Sequence, residues 1–145
     1  MLSNSLTSMA LWGQSNMQIM VTFPSAVQDG LKGGYGDPQA YRAALEEVYK
    51  LHACRMDPLP KEVTAGGLDP IFGDRETGNG GDLTVSFAMW TIVDRLHEIT
   101  VPCLVINGRY DLWQDFVVRP FVDKIPKVKW ISYENASHLP MWEER

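Results

Sequence analysis

The clearest periodic signal begins at Tyr41. Tyr41, Ala44, Leu45, Val48, Tyr49 and His52 recur at three- and four-residue spacing, the pattern of a helix with one buried stripe. Asp37-Pro38 supplies its start, a capping carboxylate ahead of a proline at the first helical position, and the helix is predicted to reach about Arg55. Upstream, Ser5 or Thr7 can cap a helix running to about Thr22, which Pro24 stops. Ser25 opens a shorter helical stretch through Leu31, ended by Gly33-Gly34. Residues 57–82 are rich in Gly, Pro and Asp and read as loop, with a helical turn near Pro70-Ile71-Phe72. From Thr84 to Ile99 apolar and polar positions mix again, and Trp90 and Val93 are expected to face inward.

After about residue 98 the pattern changes. Val101-Pro102-Cys103-Leu104-Val105-Ile106-Asn107 is a nearly continuous apolar run closed by Gly108, as suits a parallel strand buried on both faces. Pro102 stands at the entrance, where a missing N–H costs little. Asp115 can cap a helix over about 116–124, with Pro120 near its first turn or just beyond, and Ile125-Pro126 ends it. Val128 to Tyr133 reads as a second strand. Strand, helix and strand within about 33 residues form one crossover unit of a parallel sheet. The predicted class is therefore α/β, with a helical region over 1–98 and part of a sheet over 99–145. Two strands do not make a stable parallel sheet, so the 145 residues are expected to be one portion of a larger fold.

Charge and composition narrow the function classes. The sequence has 18 acidic and 13 basic residues, a net charge of −5, which disfavours a nucleic acid or an anionic membrane surface as partner. No stretch approaches the ~20 apolar residues of a membrane span. Met1 to Ser5 lacks the basic flank and apolar run of a signal peptide. Cys54 and Cys103 are too few for a disulfide scaffold, so a cytoplasmic location is expected. His52, His97 and His138 give no zinc-like spacing with these cysteines, and His52 fits the inner stripe of its helix. Gly30, Gly33, Gly34 and Gly36 lack the Lys-Ser/Thr pair of a phosphate loop and read as turns. Met1, Met9, Met17 and Met20 read as cap lining or core filler. No metal or cofactor is expected.

Candidate chemistry gathers at the two strand ends. Gly108-Arg109-Tyr110-Asp111 follows the first strand and Ser137-His138-Leu139-Pro140 the second; in open α/β sheets functional side chains collect beyond the carboxyl ends of strands. Taken singly, Asp111 fits a turn residue and His138 a solvated loop residue. Together, they fit an aspartate that orients a histidine by one ring nitrogen and leaves the other to accept a proton. The order acid then histidine is that of α/β-hydrolases.

The segment from Val101 to Glu144, most specifically GRYD and SHLPMWEE, resembles the carboxyl-terminal third of the proline iminopeptidase branch of the α/β-hydrolase superfamily. LSNSLTSMALW and YRAALEEVYKLHACRMDPLP resemble the same family's helical cap, and MWTIVDRLHEI its return to the sheet. The resemblance implies a C-terminal fragment of an α/β-hydrolase fold, mostly helical cap and then a strand-helix-strand unit, with Leu2-Ser3-Asn4 ending the sixth strand. It makes Asp111 the triad acid and His138 the base. Serine-type hydrolysis of a small peptide or an amino-acid amide or ester is implied for the parent. Cap acids would anchor the substrate's amino group, with Glu47 the candidate and Asp82 a substitute in the degraded Gly78-Asn79-Gly80-Gly81-Asp82 stretch; Trp90 and Tyr110 are further candidates for substrate contact.

The Gly-x-Ser-x-Gly elbow is missing from the sequence. The nearest string, Gly13-Gln14-Ser15-Asn16-Met17, lies in the first predicted helix, where Ser15 reads as a helix-surface residue. A truncated hydrolase, inactive by itself, is the resulting expectation. The alternative is a non-catalytic binding or complementing module that pairs through its sheet edge, either with an amino-terminal half or with its own copy.

Overall fold

The computed structural model describes residues 1–3, 5–63 and 88–144. The helical turn expected near Pro70 and the stretch ending at Asp82 lie outside these residues.

Three helices form one layer. The first, α1, spans Met9–Met20 and starts later than Ser5 or Thr7 would set it. The reason is tertiary: the Thr7 hydroxyl is buried and donates to the Val117 carbonyl at 3.0 Å, while Ile92 N–H bonds the Thr7 carbonyl. Ser8 is thereby left extended at φ −159° and caps α1 through its Oγ, which accepts from Ala10 N–H. Helix α2 covers Ser25–Gly33 and α3 Pro38–His52, and these two pack closely. A Cβ on Gly30 would fall 2.7 Å from the Ala40 carbonyl oxygen and 2.9 Å from Ala44 Cβ, so glycine is what allows the approach. Asp37 caps α3 by accepting from Ala40 N–H at 3.1 Å. Ala44 and Val48 form the centre of its buried stripe, and the helix ends at His52, short of the expected Arg55. Ile19, Phe23 and Val48 make a small core with Val27, Leu31 and Leu112 packed against it. A single turn, α4, follows at Lys61–Val63.

Among the described residues the sheet has three parallel strands in the order β1-β2-β3: Leu2–Ser3, Cys103–Gly108 and Val128–Tyr133. The apolar runs predict β2 and β3, and the third strand stands where the resemblance implied one, with Leu2 and Ser3 paired to Val105 and Ile106. Residues 1–98 are accordingly not all helical layer. Helix α5, Asp115–Lys124, connects β2 to β3. Asp115 does not cap it; Gln114 holds the N-cap position, and the Asp115 carboxylate turns sideways to Asn107 Nδ2 at 3.0 Å and Arg109 at 3.6 Å. Pro120 lies inside this helix, just beyond its first turn as expected. Leu96, Val105, Val118, Phe121 and Ile125 form the sheet-side core, flanked by Leu2, Ile92 and Trp130. Trp90, expected inside, is 39% exposed; the segment's buried anchor is Leu96, on the 3-10 helix Val93–Glu98, and Val93 is only half-buried. A last short helix, α6, covers Pro140–Glu143.

Candidate active site

The two loops beyond β2 and β3 are held side by side by backbone hydrogen bonds. Arg109 N–H donates to the Tyr133 carbonyl at 2.9 Å and Tyr110 N–H to the Ala136 carbonyl at 3.0 Å. Gly108 makes this possible: a Cβ there would lie 2.3 Å from the carbonyl oxygens of both Ala136 and Ser137. Any other residue would push the loops apart.

This seam brings Asp111 and His138 together. Asp111 Oδ1 stands 2.7 Å from His138 Nδ1 and also accepts from Trp113 N–H at 2.8 Å. A carboxylate only accepts, so Nδ1 carries the proton, and Nε2 of the neutral ring keeps its lone pair. Asp111 is 1% exposed, and its Oδ2 is buried without a hydrogen-bond partner among the described residues. The Trp113 ring meets the imidazole edge-on at 4.5 Å. From the other side Glu143 fixes the histidine loop, accepting from Ser137 N–H at 2.7 Å and from Ser137 Oγ at 2.8 Å.

His138 borders a cavity of about 420 Å³, whose walls include Tyr49, Glu62, Leu139 and Trp142. A second cavity of about 700 Å³ lies among α1, α2 and α3 and is lined by apolar and aromatic side chains, including Trp12, Met17, Met20 and Leu45. Tyr49 and Leu112 belong to the walls of both. No group of three His, Cys, Asp or Glu side chains that could hold a metal ion occurs among the described residues.

No family model matches the sequence. Among curated proteins, the proline iminopeptidase of Flavobacterium johnsoniae is 31% identical over 121 residues, which is 79% of this chain and 39% of that protein. Among solved structures, VinJ superposes with a TM-score of 0.80 at 29% identity, covering 98% of this chain and 51% of its own. The crystal structure of proline iminopeptidase from Mycobacterium smegmatis gives 0.75 at 27% identity, covering 98% and 50%. The chain is proline iminopeptidase-like, with the C-terminal half of an α/β-hydrolase fold. It spans about half or less of the length of the curated relatives it matches.

The proline iminopeptidase-like chain places its other candidates unevenly. Tyr110 adjoins Asp111, is 42% exposed, and has the Arg55 guanidinium 3.7 Å above its ring centroid. Glu47 is on the solvent side of α3, where Lys50 pairs with it at 2.5 Å, and Trp90 stands by the start of α1, where its carbonyl accepts from Met9 N–H. Asp82 lies outside the described residues. Ser15 is fully buried and not on the helix surface; its Oγ donates to the Leu112 carbonyl at 2.7 Å and accepts from Gln114 N–H. It braces the Asp111 loop. Glu62 and Glu143 escaped sequence reading, since neither belongs to a periodic pattern; the only pointer to Glu143 was its place in SHLPMWEE.

Proposed function

We propose that these 145 residues provide the acid and the base of a serine-type amide or ester hydrolase of the proline iminopeptidase kind. The observation that carries the reading is the 2.7 Å contact between a fully buried carboxylate and a histidine at a cavity wall. Asp111 holds the imidazole in one tautomer and stabilises the imidazolium that forms when Nε2 takes a proton. We place the nucleophile and the donors that stabilise a developing oxyanion outside these residues, because the sequence has no Gly-x-Ser-x-Gly elbow and the Ser15 hydroxyl of the nearest string donates to the Leu112 carbonyl. The substrate we infer is a small peptide or amino-acid amide or ester, with the Glu62 carboxylate supplying negative charge in the His138 cavity. The division of labour at residue 98, cap before and catalytic core after, belongs to the same proposal, with Leu2 and Ser3 seated in the core sheet. So does a cytoplasmic location, supported by the free thiols Cys54 and Cys103.

The test is direct. The 145-residue chain, incubated with a proline arylamide and with a serine-reactive fluorophosphonate, should show neither turnover nor label. Labelling of Ser15, or turnover abolished by Ser15→Ala, would place the nucleophile inside the chain and overturn the reading.

A second reading has its own observation. Among the described residues β1 is the end strand of the sheet, with no strand on its outer side, and an end strand is a template on which another chain can extend a sheet.

A further inference from the structure

A helix leaves its last carbonyls without intrahelical partners, and these must be satisfied by something else. At the end of α3 that carbonyl belongs to His52, and two N–H groups converge on it from far along the sequence: Leu112 at 3.2 Å and His138 at 3.2 Å. One is the residue after Asp111 and the other is the histidine itself. Backbone to backbone, the two loops bond each other as far as Tyr110 and Ala136. One step further out their backbones share the His52 oxygen, beside the side-chain contact of Asp111 with His138 at 2.7 Å.

The side chain of His52 reaches the same place. Its Nδ1 lies 2.8 Å from the Tyr110 carbonyl oxygen, and because a carbonyl only accepts, Nδ1 is the donor. His52 therefore grips the residue before Asp111 with its ring, and the residue after it with its carbonyl. Phe23 meets the ring edge-on at 5.9 Å and limits its rotation. Three residues on, Arg55 repeats the clamp from outside. Its guanidinium donates to the Asn135 carbonyl at 3.2 Å and its backbone N–H donates to Glu143 Oε1 at 2.6 Å, on the carboxylate that fixes Ser137.

We propose that His52 is a positioning residue for the Asp111–His138 pair, setting the distance between the acid loop and the histidine loop from the end of α3. The proposal rests on the acid–base reading above. It makes the helical layer more than a lid: a shift of α3 along its axis moves both members of the pair, because both hang from its last carbonyl.

The ring contribution can be tested by following the hydrogen-bonded Nδ1–H proton of His138 in NMR spectra of the 145-residue chain. His52→Leu keeps the helix carbonyl and removes the ring donor, and should broaden or abolish that resonance. His52→Asn, whose amide nitrogen can stand where Nδ1 stands, should retain it at nearly the wild-type position. If His52→Leu loses its cooperative melt, His52→Gln against His52→Asn asks the same question between two polar side chains, with retention expected only for Asn. An unchanged resonance in a folded His52→Leu chain, or equal resonances in the Gln and Asn variants, would overturn the proposal. Asp111→Asn separates this from the reading beneath it. Loss of the resonance there upholds the pair whatever His52 does, while an unchanged one would remove the pair, and with it anything for His52 to position.

Discussion

Several buried polar groups do the joining in this molecule, and each is satisfied by a partner distant in sequence. Asn107 interrupts an apolar strand at 1% exposure, yet its Nδ2 donates to Asp115 at 3.0 Å and its Oδ1 accepts from Trp130 Nε1 at 2.7 Å. One amide thus fastens β2 to β3 and to α5; an apolar side chain in its place would leave the half-buried indole N–H without this partner. Thr7 does the same just ahead of α1, and Ser15 from the middle of that helix. Cys54 is different, being buried with a thiol that ionises reluctantly: burial pushes it above its ordinary value of 9.0. The folded chain therefore keeps a proton that the unfolded chain releases, so this residue's contribution to stability is intact below the ordinary thiol value and declines as pH rises beyond it. Equilibrium unfolding from pH 7 to 10 should show that decline, and Cys54→Ala should flatten it. A profile unaltered by the substitution would contradict the burial.

At the scale of elements, local signals and tertiary demands compete for the helix ends. Where no distant group intervenes, the local signal wins, as at α3. Asp37 caps it with a 3.1 Å bond to Ala40 N–H and Pro38 occupies the first position. Removing that cap by Asp37→Ala should cost about 1 kcal/mol, lowering Tm by roughly 3 °C, while Asp37→Ser should recover most of it. A Tm unmoved by the alanine would mean that tertiary contacts alone hold the helix end. Where a distant group intervenes, the sequence reading misplaces the boundary. Thr7 looks like a cap but is drawn into the Val117 carbonyl, and Asp115 looks like a cap but is drawn to Asn107. The inner stripe of α3 was legible because 3.6-residue periodicity is a local property. Its last member was legible as a position and not as a role, since nothing near His52 in sequence indicates Tyr110 or His138.

For the molecule as a whole, the parallel sheet order and the packing of α5 follow from the β2-α5-β3 crossover, which the apolar runs announced. The contribution of Leu2 and Ser3 to the sheet was indicated only by family resemblance, two residues being too few for any pattern. If the β1 edge recruits another chain, sedimentation of the purified protein should give a self-associated species whose share rises with concentration; a monomer at all concentrations would leave only a different partner for that edge. No helix among the described residues is long and apolar enough to cross a membrane. By itself the sequence determined the α/β class, the α3 stripe and the candidates Asp111 and His138, because periodicity, apolar runs and motif order are carried by neighbours along the chain. Only the tertiary structure decided that those two side chains meet at 2.7 Å, that Ser15 is a brace, that Glu47 faces solvent, and that the end of α3 sits across both loops. Each of those depends on which distant backbone group a buried polar atom finds, and no local spacing encodes that choice.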